Sequence, residues 1–495
     1  MLTVFLFLVS TLCGLTRAAT ADDACLDIRD YGAIEGNPGG DPGNWEVNTK
    51  AIQAALDNAG NTSDGNINSN CVLVSGGDYV STDIFIRSNT KFIIDSGARL
   101  IQAANTGLPI VSLINLQSVK NVEIVGNGII YGNAEYFIDY YDVGDNRFEP
   151  ISEGRPEALV LFNYSSNIFI HNIQLQNSSF WNLHILSSHN VTVDSLNIYG
   201  DERFPNNDGI DPDSSTDVTI RNTYVDVADD AICPKASAST GPLTNLLVTN
   251  CTLRSRSHAI KFGTNCDAEM SNILFENITI WDSNSGLAIQ SRGPGGSIHN
   301  VTWRNIDVET RYAAARWWGN GEWLYITVDR RHDATEPTGR IYDMKFENIV
   351  ARSENGGVLA SHTLRAIENI EFTNISVTID RWGNYSSGVG EYGNPCQRSI
   401  TNSSGLSNVI SCMGMLDLRP SHTYFNCGNY CRTLSKANGF QLINAHHVRF
   451  TDVSVTYAAD SSEMTTPAPD YWGECLSVDR KCEDIKSTNF KCNNF

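Results

Sequence analysis

One short phrase recurs through most of this 495-residue chain: an Asn or Asp followed by alternating apolar residues. It reads NVEIV at 121, NIFI at 167, NVTV at 190, DVTI at 217 and NLLV at 245. It returns as NILF at 272, NVTW at 300, DMKF at 343, NIEF at 369 and, with His in the lead, HVRF at 447. From 167 to 300 the starts are 23, 27, 28, 27 and 28 residues apart. Period-two alternation, rich in Val, Ile and Thr and bounded by Asn and Gly, marks short strands. Strands returning at an interval in the twenties are the coils of a solenoid, and the strand pattern makes it an all-β, single-domain parallel β-helix. A leucine-rich repeat would need a helical half, and a β-sandwich would not keep the interval. A solenoid also explains how so long a chain stays one domain, because its core lengthens rather than thickens.

Residues 21–118 are expected to form an N-terminal cap and the first coils, and 119–495 the β-helix itself. VNTKAIQAALDNA at 47–59 has amphipathic helical spacing and is suited to closing the open end of the apolar core. Cys25 and Cys71 are placed to pin that cap. Residues 1–20 are an apolar run ending in small residues, with Asp22 and Asp23 beyond, as in a secretory signal peptide, although no Lys or Arg precedes the apolar stretch. The reading is therefore a secreted, extracellular protein, and no other stretch is long and apolar enough to span a bilayer.

Of 13 cysteines, Cys13 leaves with the signal, and the even remainder fits disulfides in an oxidising compartment. Cys396, Cys412, Cys427, Cys431, Cys475, Cys482 and Cys492 crowd the C-terminal end, where 381–440 is a long insertion like 308–340. A bond between adjacent coils, Cys233 to Cys251, is expected. No CxxC pair is present, so neither metal nor other cofactor is expected. Asn-x-Ser/Thr sequons, including Asn61, Asn177, Asn250, Asn277 and Asn300, permit glycosylation, although the repeat phrase itself generates such triplets. A net charge of −21 argues against nucleic acid and anionic membrane as partners. It would also repel an acidic polysaccharide unless basic residues gather locally. A monomer is expected.

The chemistry concentrates between 206 and 263, in NNDGIDPDSS at 206–215, VADDAICPK at 227–235 and SRSHAIKFG at 255–263. Residues one coil apart in a β-helix stack about 4.8 Å apart. Asp208, Asp229, Asp230 and His258 should therefore sit on consecutive rungs of one sheet, facing solvent. Carboxylates stacked so closely raise the pKa of one of them, and a protonated acid beside an ionised base is what glycosidic hydrolysis requires. Diagonal separations between rungs fall nearer the inverting range, about 6.5–9.5 Å, than the retaining range of about 5–5.5 Å.

These stretches resemble the NTDG, DD and GHG motifs of the polygalacturonase family of glycoside hydrolases, over nearly the whole mature chain. The resemblance implies a right-handed parallel β-helix and inverting, metal-independent hydrolysis of α-1,4-galacturonosyl linkages in pectic polysaccharide. By motif position, Asp229 resembles the general acid, Asp208 and Asp230 the carboxylates that activate water, and His258 the histidine that tunes the acid. Asn207 stands where Thr is usual.

The family's Arg-Ile-Lys motif, which grips the substrate carboxylate, is replaced by Ala288-Ile289-Gln290. Strand alternation puts Ala288, Gln290 and Arg292 on one face. Arg292, Lys261 and Lys235 are the cations positioned to compensate, beside Gln290 in the substrate-binding set. The altered motif admits rhamnogalacturonan or another uronate-containing chain as an alternative substrate. ARWWGNGEW at 315–323 offers three tryptophans for sugar stacking or for loop packing, and Tyr325 is a further candidate sugar contact. A β-helical pectate lyase, needing calcium and a basic residue, and a non-catalytic carbohydrate-binding β-helix are the other readings.

Overall fold

The computed structural model describes residues 25–494, apart from 37–43, 61–66, 68–69, 105, 144–145, 264–265, 293–294, 314–316, 330–337, 362, 381–437, 459–473 and 480. The expected signal segment, Cys396, Cys412, Cys427, Cys431, and the sequon at Asn61 lie outside the described residues. The chain is the expected parallel β-helix. Its long sheet takes in strands from Leu26–Asp27 to Lys486–Asn494.

Each repeat phrase is one rung. The fourth residue of the phrase, counting the leading Asn, Asp or His as the first, points inward, and register aligns Ile124, Ile170, Val193, Ile220, Val248, Phe275, Trp303, Phe346, Phe372 and Phe450 as one internal column. In the later coils the column becomes a stack of rings, with Phe275–Trp303 centroids at 4.3 Å, Phe346–Phe372 at 4.8 Å and Phe372–Phe450 at 5.1 Å. The leading residue has a physical reason too. Asn121, Asn167, Asn190, Asp217, Asn245, Asn272, Asn300, Asp343, Asn369 and His447 all adopt φ between 51° and 58°. That left-handed turn is one Asn and Asp tolerate better than other side chains. The asparagines also link rungs: Asn167 Nδ2 donates to Asn121 Oδ1 at 2.9 Å, Asn190 to Asn167 at 2.8 Å and Asn300 to Asn272 at 2.7 Å.

The N-terminal end is closed by helix Trp45–Gly60, which buries Ala51, Ile52, Ala55, Leu56 and Ala59. Cys25 and Cys71 are bonded beside it, as expected, and Cys475 is bonded to Cys492 at the other end. The Cys233–Cys251 pairing does not occur; both thiols are free and buried. The reason is facial. Cys251 belongs to strand Leu243–Ser255 of the long sheet, whereas Cys233 bonds toward Asp230 and Lys235 on a different face.

That other face carries the site. A five-stranded sheet ending at Ile210–Asp213 and a six-stranded sheet beginning at His258–Phe262 are joined through isolated bridges, Ile210↔Ile232 and Asp213↔Lys235 on one side and Ile232↔Ile260 on the other. Residues 228–235, with the paired aspartates, fill the interruption.

Candidate active site

The bridges put Asp208, Asp229–Asp230 and His258 on three successive rungs, as the spacing predicts. They are not solvent-facing, however: Asp208 is 4 % exposed, Asp229 5 %, Asp230 2 % and His258 not at all. Asn207 is the internal brace. Its Oδ1 accepts from the backbone N–H of Ala228 and Asp229 at 2.9 and 3.0 Å, and its Nδ2 donates to Asp201 O at 3.1 Å. Asn182 Nδ2 donates in turn to the carbonyls of Asn207 and Asp208. The carboxylate of Asp229 accepts from Asn206 N and Asp230 N at 3.1 and 3.0 Å.

Asp230 is held from three sides. Lys261 Nζ donates to its Oδ2 at 2.7 Å, His258 Nδ1 lies 3.1 Å from its Oδ1, and Cys233 Sγ lies 3.4 Å from Oδ2. Burial would push its carboxyl up, but the Lys261 ammonium and the His258 hydrogen bond outweigh it and hold Asp230 well below the usual carboxylate range. Burial pushes His258 down, and the ionised carboxylate of Asp230 can only accept, so Nδ1–H is the donor between them. Asp208 and Asp229 go the other way. Burial raises both; Asp211 and Asp229 add to it at Asp208, and the adjoining Asp230 charge adds to it at Asp229. One oxygen of Asp208 and one of Asp230 lie within 4.8 Å of each other. The site therefore shifts its carboxyls in opposite directions, Asp230 down and Asp208 and Asp229 up.

The predicted cations divide similarly. Lys261 and Lys235 both enter the site but are committed to its aspartates. Lys235 Nζ sits 3.0 Å from Asp211, 3.7 Å from Asp208 and 2.8 Å from Cys233 Sγ, over the Trp181 ring. Gly263 makes room for it, since a Cβ there would fall 2.8 Å from Lys235 Cγ. Asp208, Asp230 and Cys233 are the groups close enough to ligate a metal, yet the two lysines already bring positive charge to that cluster.

Lys261 is in register with Ala288, one rung below the missing arginine. Gln290 is wholly buried, and its amide has no hydrogen-bond partner among the described residues. Arg292 ends strand Ser285–Arg292 in register with Asp329, and its side chain lies outside what is described. Of the tryptophans, Trp323 is core, edge-on to Phe440, whereas Trp318 stands 6.0 Å from Lys261 Nζ. Tyr325 is buried in register above Ala288.

Sequence reasoning missed Asp211, whose carboxyl burial raises to about 6 and which shares Lys235 with Asp208. It also missed Asp213, paired with His184 at 3.3 Å, and Arg155. The Asp211 and Asp213 signal was present, because alternation within IDPD faces both outward beside the NNDG motif.

The family profile described as "Glycosyl hydrolases family 28" matches residues 67–389. A "Probable polygalacturonase" of Vitis vinifera is 28% identical over 276 residues, 54% of this chain and 53% of the relative. A "Probable exopolygalacturonase B" of Aspergillus oryzae is 25% identical over 279 residues, 52% of this chain and 62% of the relative. The chain thus spans between 53% and 62% of the length of these curated relatives. Among solved structures, a family 28 exopolygalacturonase of Yersinia enterocolitica superposes with a TM-score of 0.62 at 18% identity, over 93% of this chain and 78% of that one.

Proposed function

Since the chain belongs to family 28 of the glycosyl hydrolases, we propose that it hydrolyses galacturonosyl linkages of a pectic polysaccharide by an inverting acid–base mechanism. Asp229 gives its proton to the glycosidic oxygen as the C1–O bond breaks. Water attacks C1 from the opposite face and its proton passes to Asp230, leaving a new reducing end of inverted configuration.

The observation that carries this reading is the split between neighbours: Asp229 is pushed toward the protonated form while Asp230 is held ionised by Lys261 and His258. The Asp208–Asp230 approach within 4.8 Å suits two carboxyls sharing one water. Of that pair Asp230 is the proton acceptor, and Asp208, pushed up by burial and by Asp211, orients the water. His258 acts through Asp230, the carboxylate it touches. The names of the curated relatives support polygalacturonate over rhamnogalacturonan as substrate. The apolar leader and the cysteines support export, and no helix among the described residues is long and apolar enough to cross a membrane.

Reducing ends released from polygalacturonate, followed with time for the protein and for Asp229→Asn, test the reading. Release that the substitution abolishes is expected. Product absorbing in the ultraviolet, as an unsaturated uronide does, would instead mean a lyase.

A further inference from the structure

We infer that Arg155 is the cation that engages the substrate's uronate carboxylate, a specificity-determining residue on the wall of the site; this rests on the uronide-hydrolase reading above. The two strand positions where related motifs place Arg and Lys hold Ala288 and Gln290, and neither can supply charge. Lys261 and Lys235 are neutralised by Asp230 and by Asp211 with Asp208. An acidic sugar still needs a cation.

Arg155 lies in the segment linking the hairpin Ile138–Asp142/Arg147–Pro150 to strand Ala158–Asn163. Its guanidinium is gripped by backbone rather than by acid. Nε donates to the carbonyl of Ser179, and Nη2 to that of Pro205 at 2.7 Å. Phe180 and Phe204 place their rings 4.5 and 5.4 Å from Cζ. No described hydrogen bond engages Nη1. The anions whose charge reaches it are Asp229 and Asp208, the two carboxyls that burial drives toward neutrality.

Pro205 immediately precedes Asn206, whose N–H donates to Asp229, so Arg155 is anchored to the same turn as the proposed acid. The cation is partly buried, the carboxyls whose charge reaches it are two that burial drives toward neutrality, and burial pulls its own pKa down to about 10. A uronate carboxylate supplies an anion, and a planar guanidinium with a free amino edge is suited to receive it. Arg147, 5.1 Å from the Trp317 ring, adds positive charge near Asp229 along the same wall.

The test compares Arg155→Gln and Arg155→Lys with the unaltered protein. Calorimetry measures binding of a short oligogalacturonate and its methyl ester, and kinetics measures kcat/KM on polygalacturonate and methyl-esterified polygalacturonate. In Arg155→Gln the preference for acid over ester should fall about tenfold to a hundredfold, the worth of a charged hydrogen bond, chiefly through KM. Arg155→Lys, which keeps the charge but not the fork, should retain part of it. Thermal unfolding of both variants checks the fold. An unchanged acid-to-ester ratio, or equal losses on both substrates, would mean that Arg155 merely clamps backbone, and overturns the proposal. An unaltered protein that cuts acid and ester alike overturns it while leaving the glycosidase reading intact. One that binds and cuts neither sinks both.

Discussion

Asp229 and Asp230 are chain neighbours whose carboxyls shift in opposite directions, and the difference comes from what each touches. Asp230 meets an ammonium and an imidazole N–H; Asp229 meets two backbone amides and its neighbour's charge. Lys261 is the group that sets the difference, so Lys261→Met has a signed consequence. Losing the cation lets the Asp230 carboxyl rise, and it lets Asp229 rise further, because Lys261 lowers both. The proposed mechanism uses Asp230 ionised and Asp229 protonated, so the whole pH–rate profile should move to higher pH as well as fall. A profile that drops without moving would remove Lys261 from the electrostatics.

At this scale the four catalytic-type residues were legible in the sequence, because three motifs on neighbouring coils fix which side chains meet. The commitments of Lys261 and Lys235 were not. They depend on how far a long side chain bends between rungs, and on the space left by Gly263, neither of which a strand pattern encodes. Arg155 was invisible for a different reason: its segment lies outside the repeat.

Among the elements, the repeat phrase was readable because each position has a job: a left-handed turn, an inward column, a link between rungs. Asn272→Ala should therefore cost about 1–2 kcal/mol, from the strained φ and the lost inter-rung bond, and Asn272→Gly should cost less. Chemical denaturation would check the order; equal losses would mean that the turn conformation does not matter. Phe372→Ala should cost more, about 3–5 kcal/mol, since it opens a hole in the ring stack.

The loop before strand Glu322–Asp329 supplies a pH-dependent case. Glu322 is buried, takes the N–H of Asn320, and is raised by burial to about 7. A raised carboxyl favours folding while protonated. Its stability contribution is present below the ordinary glutamate pKa and is lost as pH rises toward and through 7. Glu322→Gln should leave stability at pH 4 nearly unchanged and improve it at pH 8, by at most roughly 3 kcal/mol. Unfolding curves at the two pH values decide it, and no difference between them would place Glu322 in water.

For the whole molecule, the solenoid explains both the length of the domain and the position of the site. One continuous core runs from the helical cap to the last coils, and the chemistry gathers where the second sheet is interrupted at 228–235. The cap helix and the Cys25–Cys71 bond were legible from helical spacing and cysteine placement. The false Cys233–Cys251 pairing came from treating adjacent coils as adjacent side chains, whereas a coil turns through more than one face.

The central claim is that these carboxyls work as an inverting acid–base pair on a galacturonate chain. The most direct measurement is the anomeric configuration of the first product from an oligogalacturonate, read by proton NMR before mutarotation. Initial release of the β-anomer is the predicted result. Initial release of the α-anomer would mean retention through a covalent intermediate, and would contradict the roles assigned to Asp229, Asp208 and Asp230.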